Sequence, residues 1–185
     1  MSKKNANKDM PFPRTYWVAP GLMAGCYPGA EDADQAETKL KGLLGAGIRH
    51  VISLMGPDET NAEDKPFTAY QNPMAMLAEI AGNAVTFNRM PIEDMSIPSP
   101  AHMDRILGLI DRCIDNDLPV YIHCWGGRGR TGTVAGCYLA RHGYASGKKV
   151  LDLIRDLRQN TEDHDKSSPE TVEQVEMVLG WEGMD

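Results

Sequence analysis

PVYIHCWGGRGRTGTVAG, residues Pro119 to Gly136, is the stretch on which the reading of this chain turns. Val120, Tyr121, Ile122 and His123 form a short, mostly apolar run after a proline, the pattern of a buried strand. A glycine-rich loop follows from Cys124 to Arg130, and a helix is expected to start near Thr131. Strand, loop and helix in this order aim backbone N–H groups and a positive helix end at one point, which suits a phosphate-sized anion. Cys124 stands at that point. Donors that hold an anion also stabilise a thiolate, so Cys124 is expected to ionise well below the usual cysteine range and to act as an exposed, oxidisable nucleophile.

Each neighbour has a part in this reading. Gly126, Gly127 and Gly129 let the backbone curl inward with no Cβ in the way. Arg130, six residues after Cys124, offers a planar fork for two phosphate oxygens and a charge to neutralise a transition state. Thr131 is placed to hydrogen-bond the thiolate. The string His123-Cys124, five residues, Arg130-Thr131-Gly132 resembles the signature of the cysteine-dependent protein tyrosine phosphatase superfamily. That resemblance implies an anion-binding set of Trp125, Gly126, Gly127, Arg128, Gly129 and Arg130, with no metal and no cofactor. It also implies that His123 supports the loop through backbone hydrogen bonds rather than transferring protons.

A second chemical feature is Pro91-Ile92-Glu93-Asp94-Met95-Ser96-Ile97-Pro98. Removing a phosphoryl group needs a proton for the departing oxygen, so an acid must reach it opposite the thiolate. Asp94 is the candidate, because its loop follows a strand and leaves the sheet at the same end as the Cys124 loop; Glu93 is its rival. The segment resembles the acid loop of compact dual-specificity phosphatases. Gln174 stands where some members of the superfamily have a glutamine that places the hydrolytic water.

The resemblance implies phosphomonoester hydrolysis through a phosphocysteine, on a phosphorylated protein or small phosphomonoester. No phosphotyrosine-recognition loop of the Lys-Asn-Arg-Tyr kind is evident, which favours a shallow pocket open to phosphotyrosine and phosphoserine or phosphothreonine. Arg128 points another way, since phosphoinositide and inositol-polyphosphate phosphatases carry a second base there; but those loops also have a base directly after the cysteine, where this chain has Trp125. A sulfurtransferase or arsenate reductase would also use a cysteine in an anion loop, leaving Asp94 without a task. A binding module without catalysis would not need Cys124, Arg130 and Asp94 together.

The chain has 185 residues, enough for one domain with its own core, expected over residues 14–185 behind a flexible segment 1–13. A net charge of −7 argues against nucleic-acid partners and stable association with acidic membranes. The polar opening MSKKNANKD carries no signal-peptide core, so a cytoplasmic location is expected. Cys26, Cys113 and Cys137 show no zinc spacing and read as core, with Cys26 also open to a redox role. Oligomeric state is not written in the sequence.

Around the central strand, Tyr16 to Gly25 reads as two strands broken at Pro20-Gly21, and Asp34 to Leu44 as a helix. Strands are expected over Ile48–Met55 and Ala84–Pro91, with a helix from Asn72-Pro73 to about Gly82 between them. The acidic stretch from Met55 to Asn72 reads as a solvated loop that can border the site. Ser99-Pro100 should cap a helix to about Asn116, and another runs from Gly147 to about Arg158. A last helix is expected from Ser168-Pro169, capped by Ser167 and Glu170, with Val172, Val175 and Leu179 inward. Alternating strands and helices imply an α/β domain: a mostly parallel sheet of four to five strands flanked by helices, with a protein tyrosine phosphatase-like fold.

Overall fold

The computed structural model describes residues 10–181. Five strands, β1 (Thr15–Ala19), β2 (Leu22–Gly25), β3 (His50–Ser53), β4 (Thr86–Arg89) and β5 (Val120–His123), form one sheet in the order β1-β2-β5-β3-β4. Gly21, at φ +82°, turns β1 into its antiparallel partner β2, and the other pairings are parallel. β5 lies in the middle, with Ile122 opposite Ala24 on one side and Ile52 on the other. Every residue of β5 is buried, as expected of a strand covered on both faces.

Strand alternation divides the core. Leu22, Ala24, Ile52, Val120 and Ile122 face one way and pack with α3 (Pro100–Asp115), α4 (Gly129–Arg141), α5 (Lys148–Leu157) and α6 (Val172–Leu179). Met23, Val51 and Tyr121 face the other way, against α1 (Ala33–Gly45) and α2 (Gln71–Ile80). Ser99 caps α3 as expected, its hydroxyl accepting from the His102 N–H. Because β2, β3, β4 and β5 run in one direction, the segments after β3, β4 and β5 leave the sheet at its carboxyl edge, where ligands of open α/β sheets bind.

Three expectations are corrected. The segment expected to be flexible reaches only partly into the described residues, and there Phe12 is buried with its ring edge-on to Tyr121; residues 1–9 lie outside the description. Pro73 sits inside the first turn of α2 rather than opening it, and Tyr70 provides the N-cap position without a side-chain bond. α6 begins later than Ser168-Pro169, with Thr171 and Gln174 as the capping box, so Val172 is exposed while Gln174 and Val178 face inward. Ser168 serves elsewhere: its hydroxyl donates to the Arg128 carbonyl at 2.8 Å. The glycines of α4 admit Ser168 and the neighbouring helices. A Cβ on Gly132 would collide with Ser168 Oγ, and one on Gly136 would lie 2.7 Å from Val178.

Candidate active site

The loop from Cys124 to Arg128 joins β5 to α4, whose first N–H groups lie ahead of any intrahelical acceptor. Within it, the N–H of Gly127 donates to Cys124 Sγ at 3.3 Å, and from the first turn of α4 Thr131 Oγ1 donates to the same sulfur at 3.0 Å. Gly127 has φ +78°, and a Cβ there would lie 2.5 Å from the Gly25 backbone, so this glycine is required twice over. Gly126 is different, since its Cβ would meet nothing nearer than 3.7 Å. Cys124 is only 3 % exposed, which corrects the expectation of an open, readily oxidised sulfur.

Arg130 is the charged centre of the site. Its side chain is 2 % exposed, yet it keeps the proton: burial opposes the charge, but Glu59, Cys124 and Asp94 outweigh it and hold the pKa above the ordinary arginine value. Glu59 grips the guanidinium with both oxygens, Oε1 at 2.5 Å from Nη1 and Oε2 at 3.0 Å from Nη2. Asp94 Oδ1 lies 3.0 Å from Nη2. The main-chain carbonyl of Ile92 accepts from Nη1 at 3.1 Å, which ties the acid loop to the same side chain. Arg130 Nε is buried and has no hydrogen-bond partner among the described residues.

Residues 13–176 match the family model described as PTP-SAK, the Swiss Army Knife protein, DSP-PTPase phosphatase domain. The chain belongs to this family. An uncharacterised protein of Methanocaldococcus jannaschii is 33% identical over 90 residues, 49% of this chain and 51% of that protein. Cyclin-dependent kinase inhibitor 3 of Sus scrofa is 36% identical over 69 residues, covering 37% of this chain and 32% of that protein. The chain thus spans about half or less of the length of these curated relatives. Among solved structures, Tk-PTP in its active form aligns with TM-score 0.66 and 22% identity over 92% of this chain and 97% of that one. PTPMT1 in complex with PI(5)P aligns with TM-score 0.64 and 18% identity over 90% and 93%. Both likenesses are of fold.

In this DSP-PTPase domain, the surroundings of the loop determine how it is held. His123 is fully buried and burial lowers its pKa to about 4, so the ring is neutral. Its Nδ1 lies 3.0 Å from the Cys124 carbonyl, which can only accept, so the proton is on Nδ1 and Tyr70 Oη donates to Nε2 at 2.7 Å. Arg14 Nη2 donates to the Gly126 carbonyl at 2.8 Å. Trp125, 40 % exposed, stands at the rim with its ring edge-on to Phe67.

Arg128 turns from the sulfur toward two acids, with Nη2 at 2.5 Å from Glu170 and Nε at 3.7 Å from Asp163. Gly129 packs beneath the same Glu170, where a Cβ would lie 2.8 Å from Oε2. Cys26 is buried and its thiol is pushed up by that burial, as a core residue's is. Glu93 is exposed and is joined to the acid loop through its carbonyl, which accepts from the Ser96 N–H.

Two features that shape the site were not legible in the sequence. Glu59 sits in a run of loop acids whose only sign was its place after a strand; Gly56 N–H holds its carboxylate at 2.6 Å. The second is the burial of Gln174, which is complete and leaves its amide to the N-terminus of α6 and the acid loop.

Proposed function

We propose that this phosphatase domain hydrolyses phosphomonoesters through a phosphocysteine intermediate, with phosphorylated tyrosine, serine and threonine side chains as its substrate class. The observation that carries the reading is the meeting of Asp94 and Arg130 at 3.0 Å beside a loop whose amide and hydroxyl converge on Cys124 Sγ. One guanidinium thereby links the candidate acid to the candidate phosphate cradle.

The steps follow from these positions. A phosphate dianion takes up Arg130, including the Nε donor, and the loop N–H groups, and so frees Asp94 from the guanidinium to take a proton from solvent. The Cys124 sulfur attacks phosphorus in line, the Sγ–P bond forming as the P–O bond to the leaving group breaks. Asp94 gives its proton to the departing oxygen. Water then attacks phosphorus, Asp94 takes one of its protons, and the Sγ–P bond breaks to return the thiolate and inorganic phosphate. Thr131 donates to the sulfur as it regains its charge. A cytoplasmic location belongs to the same reading, because the nucleophile must stay reduced.

Arg128 supports a protein substrate over an inositide. A second phosphate at its guanidinium would compete with Glu170 at 2.5 Å. Trp125 at the rim offers a face to a phenyl ring instead. The test is a panel of phosphotyrosine peptides, phosphothreonine peptides, phosphoinositides and inositol phosphates. Turnover should be highest on the peptides and absent in Cys124→Ser; preference for the inositol compounds would move the substrate class to phosphoinositides.

A further inference from the structure

The acid loop between β4 and α3 is gripped by its carbonyls on both sides of Asp94. Ahead of it, His102 Nε2 lies 3.0 Å from the Pro91 carbonyl, and Arg130 Nη1 holds that of Ile92 at 3.1 Å. Beyond it, Gln174 Nε2 donates to the Ser96 carbonyl at 3.0 Å. Between Asp94 and Ser96 stands Met95 at φ +60°, a left-handed conformation in which a residue with a Cβ is crowded. Ser96 N–H closes the turn on the Glu93 carbonyl at 3.1 Å. A turn with such a residue at its centre keeps its shape only when its surroundings impose it.

Gln174 is well placed to impose it. Its side chain is fully buried, and Oε1 accepts from the N–H groups of Glu170 at 3.1 Å and Thr171 at 3.2 Å. Both lone pairs of that oxygen are therefore used by the N-terminus of α6. The amide nitrogen is left to reach the acid loop. The same amide packs against the start of α4, since a Cβ on Gly129 would stand 3.1 Å from Oε1 and 3.2 Å from Nε2.

We infer that Gln174 is a positioning residue that clamps the acid loop to the N-terminus of α6 through Ser96, and so sets the reach of Asp94 to the leaving-group oxygen. This rests on the proposed role of Asp94. It differs from placing the hydrolytic water, a task for which the amide oxygen has no free lone pair.

Gln174→Glu isolates the clamp. A glutamate at this third position of α6 still accepts from the helix N-terminus, so the cap is kept, but its carboxylate at pH 7 cannot donate to Ser96. Steady-state and burst kinetics are compared on dinitrophenyl phosphate, which leaves without a proton, and phenyl phosphate, which needs one. The variant should lose about tenfold or more in kcat/KM on phenyl phosphate and less than about twofold on dinitrophenyl phosphate, since general acid help is worth ~10²–10⁴-fold where a proton is required. It should add little further loss to Asp94→Asn, because both act on one proton transfer.

Equal losses on both substrates, a phosphoenzyme that accumulates with kcat/KM intact, or parental kinetics would each overturn the clamp. Failure of the premise looks different: Asp94→Asn itself would then show no dependence on the leaving group.

Discussion

Arg130 carries its charge with almost no exposed surface, so its stability depends on the carboxylates beside it. Removing one partner of a buried pair leaves the other uncompensated. Glu59→Ala should therefore cost about 1–3 kcal/mol, measured by urea denaturation, with Asp94 retaining part of the compensation. Added inorganic phosphate should restore much of the loss by occupying the guanidinium, and a phosphate-insensitive variant would mean that the site takes no anion.

His123 makes a second prediction at this scale. Its pKa in the folded protein is about 4, below the unfolded value of 6.5, so the unfolded chain takes up the proton first. Stability is full above pH 6.5 and falls as pH drops toward 4, by on the order of 3 kcal/mol from this residue. His123→Gln should flatten that part of a stability-versus-pH curve, and an unchanged slope would assign it to carboxylates alone. The sequence showed His123, Cys124, Arg130 and Thr131 because a strand-loop-helix fixes where they go. It concealed Tyr70, whose donation to the imidazole depends on α2 packing across the sheet.

At the scale of elements, α4 depends on glycine for its closeness to α5 and α6. Gly136 faces Val178 at 2.7 Å and Ile154 at 3.1 Å from a Cβ placed there. Gly136→Val should cost about 1–3 kcal/mol by overpacking and lower Tm by roughly 2–10 °C, read by thermal unfolding at fixed pH. A variant that melts with the parent would show that α6 shifts freely. The strands and both the cap and the stripe of α3 were legible because their signals are local: a turn glycine after β1, Ser99-Pro100, and apolar residues on one face. The start of α6 was not, because Ser168 bonds to the loop after β5 and Thr171 takes the cap. Loop acids read the same on paper whether they meet solvent or a guanidinium, so Asp94 could be named from its surroundings while Glu59 could not.

For the molecule as a whole, a mostly parallel sheet with β5 at its centre delivers Cys124, Asp94 and the Glu59 loop to one edge. With a net charge of −7 the field of the whole protein does not draw anions, so the proposed function rests anion binding on Arg130 and the loop amides. Inorganic phosphate should accordingly raise Tm of the parent, with stabilisation approaching about 2.7 kcal/mol at a hundred times its Kd. Arg130→Ala should lose most of this shift, and a shift retained in full would place the anion elsewhere. No described helix is long and apolar enough to cross a membrane.

The most direct measurement is rapid acid quench of the protein during turnover of an aryl phosphate, followed by mass analysis of the peptide that carries Cys124. The account predicts one phosphoryl group on the Cys124 sulfur, formed as fast as the phenol burst and absent in Cys124→Ser. Turnover with no phosphoryl adduct on that peptide, or undiminished turnover by Cys124→Ser, would contradict it.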